Sequence, residues 1–319
     1  MKNIKMEIGG YFELESNLSG EFHTNALKLN SGRNCLRYIL NTEKPSKVFI
    51  PRYCCTSVLT PFLDKGYAFE YYNINERFEI NKLPSLKKGQ LLVYVNYFGL
   101  KTDYASYLAN VLGSNLILDY TQAFFFRPIN GTVTFYSPRK FFGVPDGGYL
   151  YTKRGTIGSL KFDKSLDRFN HLVGRLDKSA TAYYDDFNKS SAMLSSDSVK
   201  QMSKVTQHIL NGIDYNRAKL IRERNFYYLH SQLQKTNLIS INFDVISGPM
   251  IYPYLTDDPN LRKRLINSKI YIATYWPELK KRVEINMDEK RLIEYLLPLP
   301  IDQRYKIIDM KRIVDIING

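Results

Sequence analysis

One stretch, Asn115 to Lys153 (NLILDYTQAFFFRPINGTVTFYSPRKFFGVPDGGYLYTK), constrains this chain more than any other. An apolar run ends in an acid, Asp119. A second run, rich in β-branched and aromatic residues, leads to a lone lysine, Lys140, and a Pro-Asp-Gly-Gly turn opens a third. Buried strands that end in charged groups bring those groups to the rim of a sheet, where open α/β folds bind ligands. Comparable runs stand upstream in VFIP, YAFEYYNI and QLLVYVNYFG, and helical stretches such as DYASYLANVLG separate the runs. Strands alternating with helices predict an α/β fold, a mostly parallel sheet covered by helices.

The ordered set Asp119, Gln122, Pro138, Lys140 and Asp146-Gly147-Gly148 resembles the core of the DegT/StrS-type sugar aminotransferases, which use pyridoxal 5'-phosphate (PLP) on the fold type I scaffold. The likeness extends, more weakly, over nearly the whole chain. It implies that Lys140 carries PLP as a Schiff base, that Asp119 pairs with the pyridine nitrogen, and that Gln122 lies near the ring and its phenolic oxygen. It further implies a site completed across the two-fold axis of a homodimer.

Physical chemistry asks for these residue types independently. A Schiff base needs an amine that loses its proton near neutral pH, which a lysine does when desolvated or set beside another cation. Arg139 precedes Lys140, and Phe141 and Phe142 follow it. PLP is an electron sink only while its ring nitrogen is protonated, and a carboxylate such as Asp119 holds that proton. Taken singly, each residue has a plainer reading: an acid at a strand end is often a cap or turn residue, and Asp-Gly-Gly is an ordinary turn signal. The match of the ordered set to the family's spacing favours the functional one.

Upstream, LNSGRNCLRYIL reads as a helix opened by Ser31 and Gly32, with Cys35, Leu36, Ile39 and Leu40 at helical spacing. Free N–H groups at a helix start, with a glycine allowing close approach, suit a phosphate; a simple N-cap is the plainer alternative. In the resembling family a Ser-Gly-Thr segment holds the PLP phosphate here, which points to the backbone of Gly32, Arg33 and Asn34, with Arg33 in place of the threonine. Three further positions depart from the family. Cys55 stands where an aromatic stacks on the PLP ring, leaving Tyr53 as the candidate. Phe135 replaces a phosphate-binding serine five residues before the lysine, so Ser137 becomes the substitute, while Thr134 reads as an ordinary strand residue. Val199 replaces an asparagine that reaches the dimer partner's phosphate, with Lys200 or Gln201 as alternatives.

The chain of 319 residues is long enough for two domains. Residues 1–236 read as the large PLP-binding domain, with IGGYFELE in residues 1–23 a turn and strand packed on the rest, and 237–319 as a smaller C-terminal α+β domain. In the latter, ISINFDVI, PMIYPYL and IYIATYW read as strands, DPNLRKRLINSK as a helix with Pro259 at its start, and IIDMKRIVDII as a closing helix. The segment from Arg154 to Asp197 is polar and aperiodic, a lid or an insertion. One helix is expected to follow it, VKQMSKVTQHILNGIDYNRAKLIRERNFYYLHSQL, with Met202, Val205, Ile209 and Ile213 on one face.

The net charge of +14 favours an anionic partner. The basic residues are dispersed and no RRM-type or zinc-finger motif occurs, so a phosphorylated small molecule fits better than nucleic acid. Cys54 and Cys55 are adjacent, which disfavours an ordinary bridge between them, and three thiols kept reduced suit a cytoplasm. His23, His171, His208 and His230 have no metal-ligand spacing, so no metal is expected. No signal-type or membrane-spanning apolar run is evident, which reads as a cytoplasmic protein with no membrane partner.

The resemblance thus implies an aminotransferase moving an amino group from an amino acid, glutamate in the simplest case, to a nucleotide-linked keto sugar, in surface-polysaccharide or deoxyamino-sugar biosynthesis. Two alternatives share the scaffold. A PLP-dependent sugar dehydratase carries histidine in place of the lysine, and Lys140 counts against it. A non-catalytic, regulatory descendant is favoured by the departures at Cys55, Phe135 and Val199. A nucleotide-binding α/β protein of another kind lacks support, since no Gly-rich fingerprint or P-loop occurs.

Overall fold

A computed structural model describes residues 14–15, 19–153, 158–196, 198–239, 245–281 and 284–319. Most of the turn and strand expected in IGGYFELE, and of the strand expected in ISINFDVI, lies outside the described residues.

The strands β1 (Leu27–Leu29), β2 (Lys47–Pro51), β3 (Phe69–Tyr72), β4 (Gln90–Val95), β5 (Leu116–Asp119), β6 (Val133–Tyr136) and β7 (Gly148–Tyr151) form a seven-stranded sheet in the order β1-β7-β6-β5-β4-β2-β3. Strands β2 to β6 run parallel, and β7 is antiparallel to both of its neighbours. The apolar runs read from the sequence are therefore strands, interior except for YAFEYYNI, whose β3 lies at the sheet edge. All four residues of β5 are buried, as a strand covered on both faces requires.

The helices are α1 (Gly32–Glu43), α2 (Thr60–Leu63), α3 (Thr102–Leu112), α4 (Asn170–Asp177), α5 (Tyr184–Ser196), α6 (Lys204–Asn211), α7 (Tyr215–Leu233), α8 (Leu261–Asn267), α9 (Met287–Tyr295) and α10 (Ile307–Asn318). Alternate strand residues feed two apolar clusters. Val93, Ile117 and Val133 pack with Cys35, Leu36, Ile39 and Leu40 of α1. Leu92, Tyr94 and Leu118 belong to the larger cluster, which continues through Phe226 of α7 and Met310 of α10. It also takes in Tyr252 and Leu297 of the antiparallel pair β8 (Ile251–Leu255) and β9 (Leu296–Pro300).

Three expectations change. The helix expected over 199–233 is two helices, because Ser203 and Asp214 each accept from an amide in the first turn that follows, Thr206 N at 3.2 Å and Arg217 N at 2.9 Å. Local capping overrides the periodicity, and Val205 of the supposed apolar face is exposed. IYIATYW forms no strand: Ile270 and Ile272 are buried and Tyr271 is exposed, as in a strand, but no neighbouring strand pairs with them. The polar stretch from 154 to 197 contains α4 and α5, with Asp185 and Asp186 in the first turn of α5 where the helix dipole favours them.

Candidate active site

Val95, Asp119 and Phe135 stand side by side at the ends of β4, β5 and β6. Together they form one wall of a cavity of about 400 Å³. It opens at the carboxyl ends of the strands, next to the place where the strand order reverses between β4 and β2, the usual ligand position in such sheets. Gly32 and Arg33 at the start of α1, Cys55 after β2, and Lys140 after β6 close it in, and Trp276 and α5 complete it.

Asp119 is buried, and its Oδ1 accepts from the amide of Thr121 at 2.9 Å. The hydroxyl of Thr121 accepts from Lys140 Nζ at 2.9 Å, so one residue ties the carboxylate end of β5 to the lysine turn. Burial raises the pKa of Asp119, opposed by the charge of Lys140 and by the Thr121 hydrogen bonds. The site therefore holds a carboxylate short of positive charge. Gln122 is buried on the same wall, with its Oε1 accepting from Phe98 N at 3.0 Å, which fixes the amide. The expected desolvation of Lys140 by its aromatic neighbours is not found. Phe141 and Phe142 turn into the core against Phe124, whereas Lys140 is exposed.

The turn that carries Lys140 is held from below. A Cβ on Gly147 would lie 2.8 Å from Pro138 Cγ, and one on Gly148 would lie 2.6 Å from the backbone of Ser31. Only glycines allow the turn, β7 and the start of α1 to meet this closely. The buried Asp146 accepts from Ser203 N at 3.0 Å and from the Thr206 hydroxyl, which anchors α6 to the same point. On the other side, the carbonyl of Phe141 accepts from Gln303 Nε2 at 2.7 Å and Arg222 Nη2 at 3.3 Å.

The α1 end of the cavity is cationic. Arg33 donates through Nε to the Ser57 carbonyl at 3.3 Å, and Arg139 Nη2 reaches Ser191 Oγ of α5 at 3.5 Å. Among the described residues neither guanidinium has an ion pair. Arg139 Nε is buried without a hydrogen-bond partner. Burial, opposed by Asp146 and helped by the charges of Arg168 and Arg33, lowers the Arg139 pKa to about 10, and burial lowers that of Arg33. Arg139 thus stays charged at neutral pH.

Of the residues singled out from sequence, Lys140, Asp119, Gln122, Gly32, Arg33 and Ser137 share this cavity. Asn34 and Tyr53 do not line it. The Asn34 amide donates to Ser31 Oγ at 3.1 Å, and its side chain turns away to Asn30 Oδ1 at 2.7 Å. Tyr53 is fully buried one layer behind, its ring edge-on to Trp276 at 5.0 Å. Phe135 and Cys55 line the cavity, while Val199 packs on the cluster beneath α1. Lys200 Nζ donates to Asp163 at 3.4 Å and Gln201 Nε2 to the Leu160 carbonyl at 2.9 Å. Sequence reasoning missed Thr121, whose spacing from Asp119 was visible but whose reach to Lys140 was not. It also missed Trp276, marked only by being the single tryptophan of the chain.

No model of a known protein family and no curated protein matches the chain in sequence. Solved structures do match it in three dimensions. A DegT DnrJ EryC1 StrS aminotransferase from Brucella abortus is 16% identical with a TM-score of 0.61, over 92% of this chain and 85% of that one. The aminotransferase TlmJ from Streptoalloteichus hindustanus is 14% identical with a TM-score of 0.65, over 92% and 84%. PseC of Helicobacter pylori, an aminotransferase involved in the biosynthesis of pseudoaminic acid, is 13% identical with a TM-score of 0.60, over 92% and 85%. This chain has the fold of the DegT/StrS-type sugar aminotransferases. The fold type I scaffold expected from its residues is thereby found, with a mostly parallel sheet and a small antiparallel pair beside it.

The residues of this chain fit the cofactor that such a scaffold carries. The Asp119 carboxylate lacks full compensation for its burial, Arg139 lines the cavity with no ion pair among the described residues, and Gly32 leaves room where a Cβ would come within 3.2 Å of Thr121. Among the described residues no group of His, Cys, Asp and Glu side chains could hold a metal ion, and no helix is long and apolar enough to cross a membrane.

Proposed function

We propose that the chain is a PLP-dependent aminotransferase that moves an amino group from an amino acid, glutamate in the simplest case, to a nucleotide-linked keto sugar. The observation that carries this reading is the link Asp119–Thr121–Lys140: a buried carboxylate and a lysine amine facing one cavity and tied through a single threonine. Bound PLP would supply the electron sink that makes the substrate carbon acidic. Lys140 would anchor it and, once released, move the proton between the substrate carbon and the cofactor carbon. Asp119 would hold the proton of the ring nitrogen, and Gln122 would stand by the phenolic oxygen. Ser137 and the backbone at Gly32 would help to hold the cofactor's phosphate.

A second cavity, of about 600 Å³, shares Lys140 and Arg139 with the first. Its lining includes Arg175, Arg222 and Arg304 against a single acid, Asp302, which suits a substrate bearing phosphate. Assembly as a homodimer belongs to the same reading. The exposed Leu176, Tyr184 and Phe187 of α4 and α5, beside the two cavities, offer apolar surface for a second copy.

The test uses the purified chain with PLP and glutamate. Release of 2-oxoglutarate is expected up to one equivalent per chain, becoming catalytic when a nucleotide-linked keto sugar is added. Lys140→Ala should lower transfer by about 10²- to 10⁴-fold, the range for a lost acid–base group, and should leave no borohydride-fixed pyridoxyl group. A variant that keeps that group would place the anchor on another lysine and sink the reading.

A further inference from the structure

Three positions that the family resemblance assigns to the cofactor phosphate are altered in this chain, and the structure has something else there. Phe135 brings an apolar ring to the wall where a serine is expected. Val199 packs on the cluster beneath α1, and its neighbours Lys200 and Gln201 are bonded to Asp163 and Leu160 of the same chain. Arg33 replaces the threonine. Of the groups lost, two were neutral hydrogen-bonding side chains within the chain and one belonged to a partner subunit.

In their place two guanidinium groups border the same cavity. Besides Lys140, whose Nζ is bonded to Thr121, the cavity lining includes Arg33 and Arg139 and a single acid, Asp119. A nearby arginine shows the contrast. Arg37, one turn along α1, has its charge matched by Asp64, with Nε donating to Oδ2 at 2.8 Å. Arg33 and Arg139 have no such carboxylate among the described residues, and Arg139 Nε is buried without any partner. Both are half-buried, and Asp64 and Asp146 act on them without a bonded ion pair, so a partly desolvated charge is left that a ligand anion would pair with. The amide of Arg33, in the first turn of the twelve-residue helix α1, likewise has no acceptor among the described residues, whereas its neighbours are engaged, Gly32 through the parallel bridge between Ser31 and Gly147 and Asn34 by the Ser31 cap. These donors suit an anion of two charges with three peripheral oxygens, a phosphate monoester, and arginine forks match it better than point charges do.

We propose that Arg33 and Arg139 clamp the phosphate of the cofactor from within one chain, in place of the hydroxyl and partner-subunit ligands that the resemblance implies. This rests on the cofactor reading above. The phosphate chemistry alone would also admit the diphosphate of a nucleotide substrate, so the test must separate the two sources.

Trp276, the single tryptophan, lines the cavity and supplies the readout. PLP, pyridoxal and a nucleoside diphosphate are titrated by quenching of its fluorescence into the wild type, Arg33→Gln and Arg139→Gln. Each substitution is expected to weaken PLP tenfold or more while changing pyridoxal less than twofold. In the wild type, inorganic phosphate should compete with PLP and not with pyridoxal, a measurement that stands even if Arg139→Gln fails to fold. The clamp is overturned if a folded Arg33→Gln binds PLP as the wild type does, if PLP and pyridoxal weaken equally, or if only the nucleoside diphosphate is lost. A wild type that binds PLP no better than pyridoxal overturns it too. Failure of the wild type to take up PLP or pyridoxal at all would instead bring down the aminotransferase reading itself.

Discussion

The two ends of the candidate site are built differently. At the lysine end polar groups are matched to neighbours: Asp119 to Thr121, Thr121 to Lys140, and the Phe141 carbonyl to Gln303 and Arg222. Sheet register and a glycine-locked turn set that geometry, and what is left for a ligand to meet there is the buried charge of Asp119. At the α1 end Arg33 and Arg139 line the cavity, and neither has an ion pair among the described residues. The difference teaches where the chain has spent its packing: the reacting end is held by the fold, while the anion end is left incomplete in charge.

The sharpest way to break that contrast is to neutralise the acid at the ordered end. Asp119→Asn keeps the acceptor for the Thr121 amide but removes the charge, and transfer should fall by about 10²- to 10³-fold, as when a single electrostatic group is removed from an active site. Stability of the cofactor-free chain should move the other way. Burial raises the Asp119 pKa, so the folded chain holds that proton more tightly than the unfolded chain, and ionisation penalises the fold as pH rises through the raised value. Thermal melts should find the variant at least as stable as the wild type at pH 7. The gap should close as pH falls to the ordinary aspartate range, about 3.9. A variant less stable at pH 7 would mean that Lys140 and the Thr121 hydrogen bonds compensate the buried charge in full.

Gly148 joins the two ends, since a Cβ there would press 2.6 Å from Ser31 and 2.8 Å from Cys35 Sγ. Gly148→Ala should therefore cost about 1–3 kcal/mol, read as a lower melting temperature, and should weaken PLP together with pyridoxal, because it shifts the start of α1 against the lysine turn. Loss of PLP alone, with the melting temperature unchanged, would show the α1 end to move independently.

How much of this was legible follows the same division. The strand ends at Asp119 and the approach to Lys140 could be read because interior strands write themselves as unbroken apolar runs and their rim residues follow directly. The start of α1 at Gly32, with Ser31 as cap, was equally plain. What the sequence hid depends on side chains meeting from distant segments. Trp276 comes from a stretch whose alternation resembles a strand that never pairs, and α5 lies in a segment with no clear period. Tyr53 was the reasonable aromatic to nominate beside Cys55, yet only packing could place it behind Trp276. Likewise the aromatic neighbours of Lys140 pointed into the core, a choice of direction that spacing along an irregular turn does not reveal.

The smallest expected effect sharpens the comparison most, because it asks whether the lysine end is held by one fastening or several. Gln303 Nε2 donates to the Phe141 carbonyl at 2.7 Å while its Oε1 accepts from Arg222 Nε at 2.9 Å. Gln303→Ala removes the shorter of the two bonds on that carbonyl but leaves Arg222, whose guanidinium also lies over the Phe141 ring at 4.6 Å and reaches the Pro249 carbonyl at 3.2 Å. The loss should be near that of one hydrogen bond, about 1 kcal/mol, and transfer should slow by less than about tenfold. Because Gln303 acts through the turn, kcat should fall while the affinity for pyridoxal and for PLP stays the same, and Gln303→Glu, which keeps an acceptor for Arg222 but loses the donor, should behave like the alanine variant. If either variant instead lost PLP tenfold with kcat unchanged, the carbonyl clamp would belong to the anion end of the site, and the division between a rigid lysine end and a charge-poised α1 end would have to be redrawn.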